Sequence, residues 1–141
     1  MPYRHAAHIS LLALLLLVTA AAYVPQVVFS DFKVEAQGSV VTVKWMTQVE
    51  DDVTKFTLER QTRFEPENVW KPVPKEFKAH GKSKWYEYKD ESVYKTTADE
   101  VKYRIRTTFR DGSVDVTESV STNYTTSAIR RTWGSIKAMF Q

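Results

Sequence analysis

Cysteine is absent from all 141 residues, so the chain has no disulfide, no thiolate nucleophile and no cysteine-held metal. Histidine is scarce: His5 and His8 lie near the N-terminus and His80 stands alone beyond them, which excludes an ordinary histidine-rich zinc site. Glycine is rare and forms no phosphate-binding loop, and no serine occupies a G-x-S-x-G turn. Nucleophilic and general acid–base catalysis therefore have no visible machinery, and we expect a non-enzyme with no catalytic residue, no metal and no cofactor. Neither sign of charge dominates: 20 Lys and Arg face 17 Asp and Glu, and a net +3 is too mild to argue for nucleic acid. Without cross-links the fold must rest on buried apolar surface. Trp45, Trp70, Trp85 and Trp133, with many Phe and Tyr, supply it at about 150 to 250 Å² per buried ring.

The longest apolar run opens the chain. A short basic segment with Arg4 leads into Ile9 to Val18, followed by small residues at Ala20 and Ala22, the order of parts in an export signal. We expect residues 1–22 to form a signal helix cleaved after Ala22, placing the rest in the periplasm, on the outer surface or outside the cell. The alternative is an uncleaved N-terminal anchor, since apolar residues resume at Tyr23, Val24 and Val27 to Phe29, although Pro25 and Gln26 interrupt them. Removal of the leader takes away one formal positive charge, Arg4, and leaves enough chain for one domain of about 100 residues with a tail.

From Asp31 onward the hydrophobic period is two, the mark of strands with one wet and one dry face. Phe32, Val34 and Ala36 alternate with Lys33 and Glu35; after the turn Gln37-Gly38-Ser39, Val41, Val43 and Trp45 share a face. Phe56 and Leu58 point inward from a third strand. Val69 to Val73, bracketed by Pro66, Pro72 and Pro74, reads as a short edge strand carrying Trp70. Trp85 to Lys89 resumes the pattern, with Tyr86 and Tyr88 on one face and Trp85 on the other. Val101, Tyr103, Ile105, Thr107 and Phe109 form the longest alternation. Asp111-Gly112 then signals a hairpin into a return strand with Val114, Val116 and Val120, broken near Glu118 by a bulge or an edge. Seven short strands with regular turn signals predict an all-β sandwich of two antiparallel sheets spanning residues 30–122.

The pieces VTVKWMTQVE, KFTLERQ, WYEYKD and VKYRIRTTFRDGSV, in that order, resemble a fibronectin type III-like domain of bacterial secreted or surface proteins. The resemblance implies a seven-stranded immunoglobulin-like sandwich in which Trp45 packs under Tyr103. It also implies that Glu59 and Arg60 form a surface ion pair. Gln61 departs from the serine common at that position.

Residues 123–141 read as a linker and tail. On a helix, Ile129, Trp133, Ile136 and Phe140 share a face, with Arg130, Arg131 and Lys137 away from it, so the tail is basic and amphipathic. Gly134 and the short length make an isolated helix marginal, and it needs a surface: the sandwich itself, a membrane or another protein.

Other constellations have simpler explanations than a site. The lone His80 in a lysine-rich loop is expected to be solvated. Glu50-Asp51-Asp52 reads as a solvated turn, because its spacing matches no calcium loop. Lys102, Arg104 and Arg106 form a basic stripe that cross-strand pairing with Glu59 accounts for. Asn123-Tyr124-Thr125 fits a glycosylation sequon, relevant only in a host that uses it. The expected function is thus an exported, non-catalytic binding or structural module of the cell envelope, its tail contacting a protein or membrane surface. The alternative is a carbohydrate-binding module using exposed aromatics, Trp85 and Trp70 first.

Overall fold

The computed structural model describes residues 23–93 and 100–124. The expected export segment and cleavage position, and the tail residues Ile129, Arg130, Arg131, Trp133, Ile136, Lys137 and Phe140, lie outside the described residues.

Eight strands run from Gln26 to Asn123: β1 (Gln26–Gln37), β2 (Val40–Asp51), β3 (Val53–Thr62), β4 (Lys71–Lys78), β5 (Trp85–Asp90), β6 (Glu100–Phe109), β7 (Val114–Val116) and β8 (Val120–Asn123). Every pairing is antiparallel. One sheet has the order β1-β2-β5; the other has β4-β3-β6-β7, with β8 also on β6. There is no α-helix among the described residues.

The first strand starts earlier than the period-two pattern suggests. Val27, Val28 and Phe29 pair with Glu50, Val49 and Thr47 of β2, so these apolar residues belong to a sheet. Register shifts on either side of Phe29 carry an extra residue in each strand, Gln48 and Ser30. The shift at Ser30 resets the parity, and Val27 and Phe29 before it, like Phe32, Val34 and Ala36 after it, all pack on the core.

Glu50 and Asp51 belong to β2 rather than to a loop, and the chain crosses to the other sheet at Asp52, whose φ of 53° is the left-handed conformation that Asp tolerates. Pro72 and Pro74 lie inside β4, which pairs only with β3 and so carries N–H-free positions at a sheet edge. Trp70 therefore precedes this strand instead of sitting on it.

The single return strand expected after Asp111-Gly112 is two. Val116 pairs with Arg106 and Val120 with Tyr103, so β7 to β8 uses one more residue than β6 does over the same span. Thr117 keeps this bulge attached: its N–H donates to the Ile105 carbonyl and its hydroxyl accepts from the Ile105 N–H, both at 3.0 Å. Val114 and Val116 are exposed rather than inward. Tyr124, expected in a linker, is buried.

The core lies between the sheets around Trp45, which stacks on Tyr86 at 5.1 Å and meets Phe77 and Phe56 edge-on at 4.8 and 6.3 Å. Tyr103 is equally buried but is not a ring partner of Trp45. Both belong to the same core, and the Tyr103 hydroxyl donates to Asp90, four residues along β5 from Tyr86, at 2.8 Å.

Candidate functional site

Alternation along β5 turns Tyr86 into the core and leaves Trp85, Glu87 and Lys89 outside, on the outer face of the three-stranded sheet. Trp85 is 48% exposed on a paired strand. Met46 is its cross-strand neighbour, and the Lys33 ammonium reaches over from β1 to 5.6 Å from the ring centroid. Lys33 and Lys44 are tied to Asp31 and Glu87 at 2.8 and 3.2 Å, so the outer face is a charged lattice around one large aromatic ring.

Beside Trp85, the edge between β4 and β5 opens into a groove of about 300 Å³ lined by Lys75, Glu76, Phe77, Lys78, His80, Trp85, Tyr86 and Glu87. Its floor is a stack of rings. The His80 imidazole lies 3.7 Å from Tyr86, which in turn stacks on Trp45. His80 is exposed as a residue, but its ring is docked rather than freely solvated.

The loop that carries His80 is clasped by Glu50. One Glu50 oxygen accepts from the Thr47 hydroxyl at 2.5 Å and the Tyr86 hydroxyl at 2.9 Å, and the other accepts from the Gly81 N–H at 2.9 Å. The Tyr86 hydroxyl also accepts from the His80 N–H at 2.9 Å. Burial, opposed by that amide bond and reinforced by Glu50, pushes the Tyr86 hydroxyl well above its ordinary range, so it remains a donor. No group of His, Cys, Asp and Glu among the described residues is arranged to hold a metal ion.

Trp70 is placed apart from Trp85. It precedes β4 at the end where Lys71 pairs with Arg60, half-buried under the Arg104 guanidinium at 4.3 Å, while Trp85 opens β5 beside the His80 loop. Trp70 lies before the first residue of β4 and Trp85 on β5 of the other sheet, at opposite ends, so the two rings do not share a platform. Arg104 and Arg106 pair with Glu59 at 2.6 and 3.6 Å, the cross-strand bridging expected of the basic stripe.

Glu59 and Arg60 are not an ion pair with each other, because adjacent strand residues face opposite ways. Glu59, only 5% exposed, lies under Arg104 on the outer face; Arg60 points between the sheets to Asp90. Asp90 is fully buried. One oxygen accepts from Arg60 Nη1 at 2.6 Å and from the Tyr103 hydroxyl at 2.8 Å, the other from the Ser92 N–H and hydroxyl at 3.0 and 2.7 Å. Burial first, then Asp90, pushes the Tyr103 hydroxyl far above its ordinary range. Sequence reasoning passed over Asp90, although its parity with Tyr86 and Tyr88 marks it as inward.

No protein-family model matches the chain, and no curated protein matches it. Among solved structures it is similar to pectate lyase PelI from Erwinia chrysanthemi in complex with tetragalacturonic acid, with a TM-score of 0.50 and 16% identity over 69% of this chain and 28% of that one. It is similar as well to OgpA from Akkermansia muciniphila. The wild-type enzyme gives a TM-score of 0.55 and 13% identity over 73% of this chain and 28% of that one. The catalytically inactive form in complex with an O-glycopeptide (glycodrosocin) substrate gives 0.55 and 13% over 76% and 32%. At such identities the likeness shows a shared β fold and nothing of activity, and this chain spans less than a third of each neighbour's length.

Proposed function

We propose that this chain is an exported, non-catalytic β-sandwich module that binds a glycan, with Trp85 as the residue that stacks on a sugar ring. The observation that carries this reading is the half-exposed indole on a strand, with the Lys33 ammonium over part of the ring and Glu87 on the same face of β5. A flat aromatic face takes the C–H side of a pyranose, and charged groups at its rim take hydroxyls. Two facts add support. The neighbours with this fold include a pectate lyase with bound tetragalacturonic acid and a protein with a bound O-glycopeptide, and this chain matches a part of each the size of one domain. The sheet orders β1-β2-β5 and β4-β3-β6-β7 support the fibronectin type III-like reading of that domain.

The test is retention of the protein on immobilised glycans. Trp85→Ala is expected to weaken retention at least about tenfold with little change in melting temperature, since an exposed ring adds little to the core. Trp70→Ala is expected to bind as the parent does. Parent-like retention of Trp85→Ala on every glycan that holds the parent would end the proposal.

A second reading rests on the apolar spacing of Ile129, Trp133, Ile136 and Phe140 beside Arg130, Arg131 and Lys137. In it the tail holds the module to an envelope or protein surface. Fractionation of cells making the full chain or a chain ending at Ser127 decides it: unchanged partition on truncation removes the tail from the function.

A further inference from the structure

Positive charge gathers at the sheet edge beside Trp85. Ten residues, 75–84, hold Lys75, Lys78, Lys82 and Lys84 against the single carboxylate Glu76, giving this segment as large an excess of positive charge as the +3 of the whole chain. These residues form the end of β4 and the loop into β5, the same edge that carries Trp85.

The carboxylates near this edge are already engaged. Glu76 pairs with Lys55 at 2.5 Å, Glu87 with Lys44 at 3.2 Å, and Glu50 is occupied by Thr47, Tyr86 and Gly81. Lys78, Lys82 and Lys84 are exposed and have no ion pair among the described residues. Asp51, which lines the adjoining depression with Lys82, sets the limit of the basic edge.

The edge is also held in shape. The Ser83 N–H donates to the Thr47 carbonyl at 2.8 Å and the Ala79 N–H to that of Thr54 at 3.4 Å. The Glu50 clasp and the His80–Tyr86–Trp45 ring stack fix the middle of the loop. Positive φ at Gly81 and Ser83, 99° and 63°, belongs to this fixed path. Cations held on such a frame need little ordering to meet a ligand.

We infer that the β4–β5 edge binds an acidic polysaccharide, with Trp85 against a sugar ring and Lys78, Lys82 and Lys84 against its carboxylate or sulfate groups. The inference rests on the glycan-binding reading and names the class of glycan. An open groove suits a polymer that lies along an edge, whereas a small metabolite needs burial of most of its surface. Lys78 lines the groove with Trp85, Lys82 lines the adjoining depression and Lys84 precedes Trp85 in the chain, so cations at several points along this edge can meet a chain of sugars that carries repeated anions.

The experiment uses the full chain, the triple variant Lys78→Gln/Lys82→Gln/Lys84→Gln and Trp85→Ala. Each is titrated with polygalacturonate, with a sulfated glycosaminoglycan and with a neutral glucan, in about 0.01 M and about 1 M salt, over which the screening length falls from about 30 to about 3 Å. Folding of each variant is checked by circular dichroism; all four positions are exposed.

The expected result is binding to acidic polymers at low salt, weakened at least about tenfold by the triple variant and lost at high salt. Polygalacturonate alone would identify carboxylate as the anion, the sulfated polymer alone would identify sulfate, and either supports the inference. Equal affinity for the neutral glucan, or parent-like binding of acidic polymers by the triple variant, overturns it while leaving the Trp85 reading standing. Binding that depends on the lysines but is unchanged in Trp85→Ala overturns the inference as stated and the Trp85 reading with it, because the ring then takes no part. Lysine-dependent binding to anionic lipid vesicles or single-stranded DNA, with none to any polysaccharide, overturns both.

Discussion

Asp90 closes β5 with a carboxylate between the two sheets, where water cannot solvate it. Four donors replace water: Arg60 and Tyr103 on one oxygen, Ser92 twice on the other. Burial pulls the Arg60 guanidinium down, and the charge and hydrogen bond of Asp90, aided by Tyr103, more than offset it, so Arg60 stays charged. Removing one member of such a pair leaves the other charge stranded, at a cost of about 3 to 5 kcal/mol when both are fully buried. The Arg60 side chain is 21% exposed, so Asp90→Asn should cost somewhat less, about 2 to 3 kcal/mol, in urea unfolding. Tyr103→Phe should cost about 1 to 2 kcal/mol, and the double variant less than the sum. A loss under about 0.5 kcal/mol for Asp90→Asn would mean that the network does not hold the sheets together. The inward face of Asp90 was legible from its alternation with Tyr86. Its partner was not, because Arg60 comes from the opposite sheet and nothing local pairs the two.

Among the elements, β6 and the Val40 to Thr47 part of β2 were legible because each keeps a period of two against a core on one side. β1, β4 and the β7–β8 pair were misjudged in extent, since each contains extra residues that shift parity or sits at an edge where proline is tolerated. The turn segment from Thr62 to Trp70 was invisible to alternation because side chains, not strand pairing, hold it. The Gln61 amide donates to the carbonyls of Pro66, Glu67 and Val69 at 2.8, 2.9 and 3.2 Å. Glu65 accepts from the Thr62 N–H at 2.7 Å, from its hydroxyl, and from Lys71 at 2.9 Å. Burial raises the Glu65 carboxyl, but these bonds outweigh it and bring it down to about 2 from 4.5. A folded value below the unfolded one means that this stabilisation is complete above about pH 4.5 and disappears as pH falls toward about 2. Its size, after screening at a partly exposed site, is of the order of 1 kcal/mol. The parent should therefore lose more stability than Glu65→Gln over that acid range, and parallel acid titrations of the two unfolding midpoints would remove Glu65 from the account.

At the scale of the whole molecule, two sheets without a disulfide are joined by one apolar core in which aromatic rings from both sheets meet. Phe56 of the larger sheet meets three rings of the smaller one: Phe29 at 6.0 Å, Trp45 at 6.3 Å and Tyr86 at 5.1 Å. A two-layer sandwich and most of its inward residues follow from composition and period, while the way its layers lock depends on ring geometry that spacing along the chain does not encode. Trp45 was expected beside Tyr103, yet three phenyl and phenol rings surround it and Tyr103 serves the Asp90 network instead. If the rings are the joint, neither sheet is stable alone, because each leaves its inner face bare. Phe56→Ala should then cost about 3 to 5 kcal/mol, a large share of the roughly 5 to 15 kcal/mol typical of a domain. Unfolding should remain a single transition in which tryptophan fluorescence, far-ultraviolet circular dichroism and calorimetry coincide. Separation of those signals in the variant, with strand content persisting after the tryptophans reach water, would show that one sheet survives without the other.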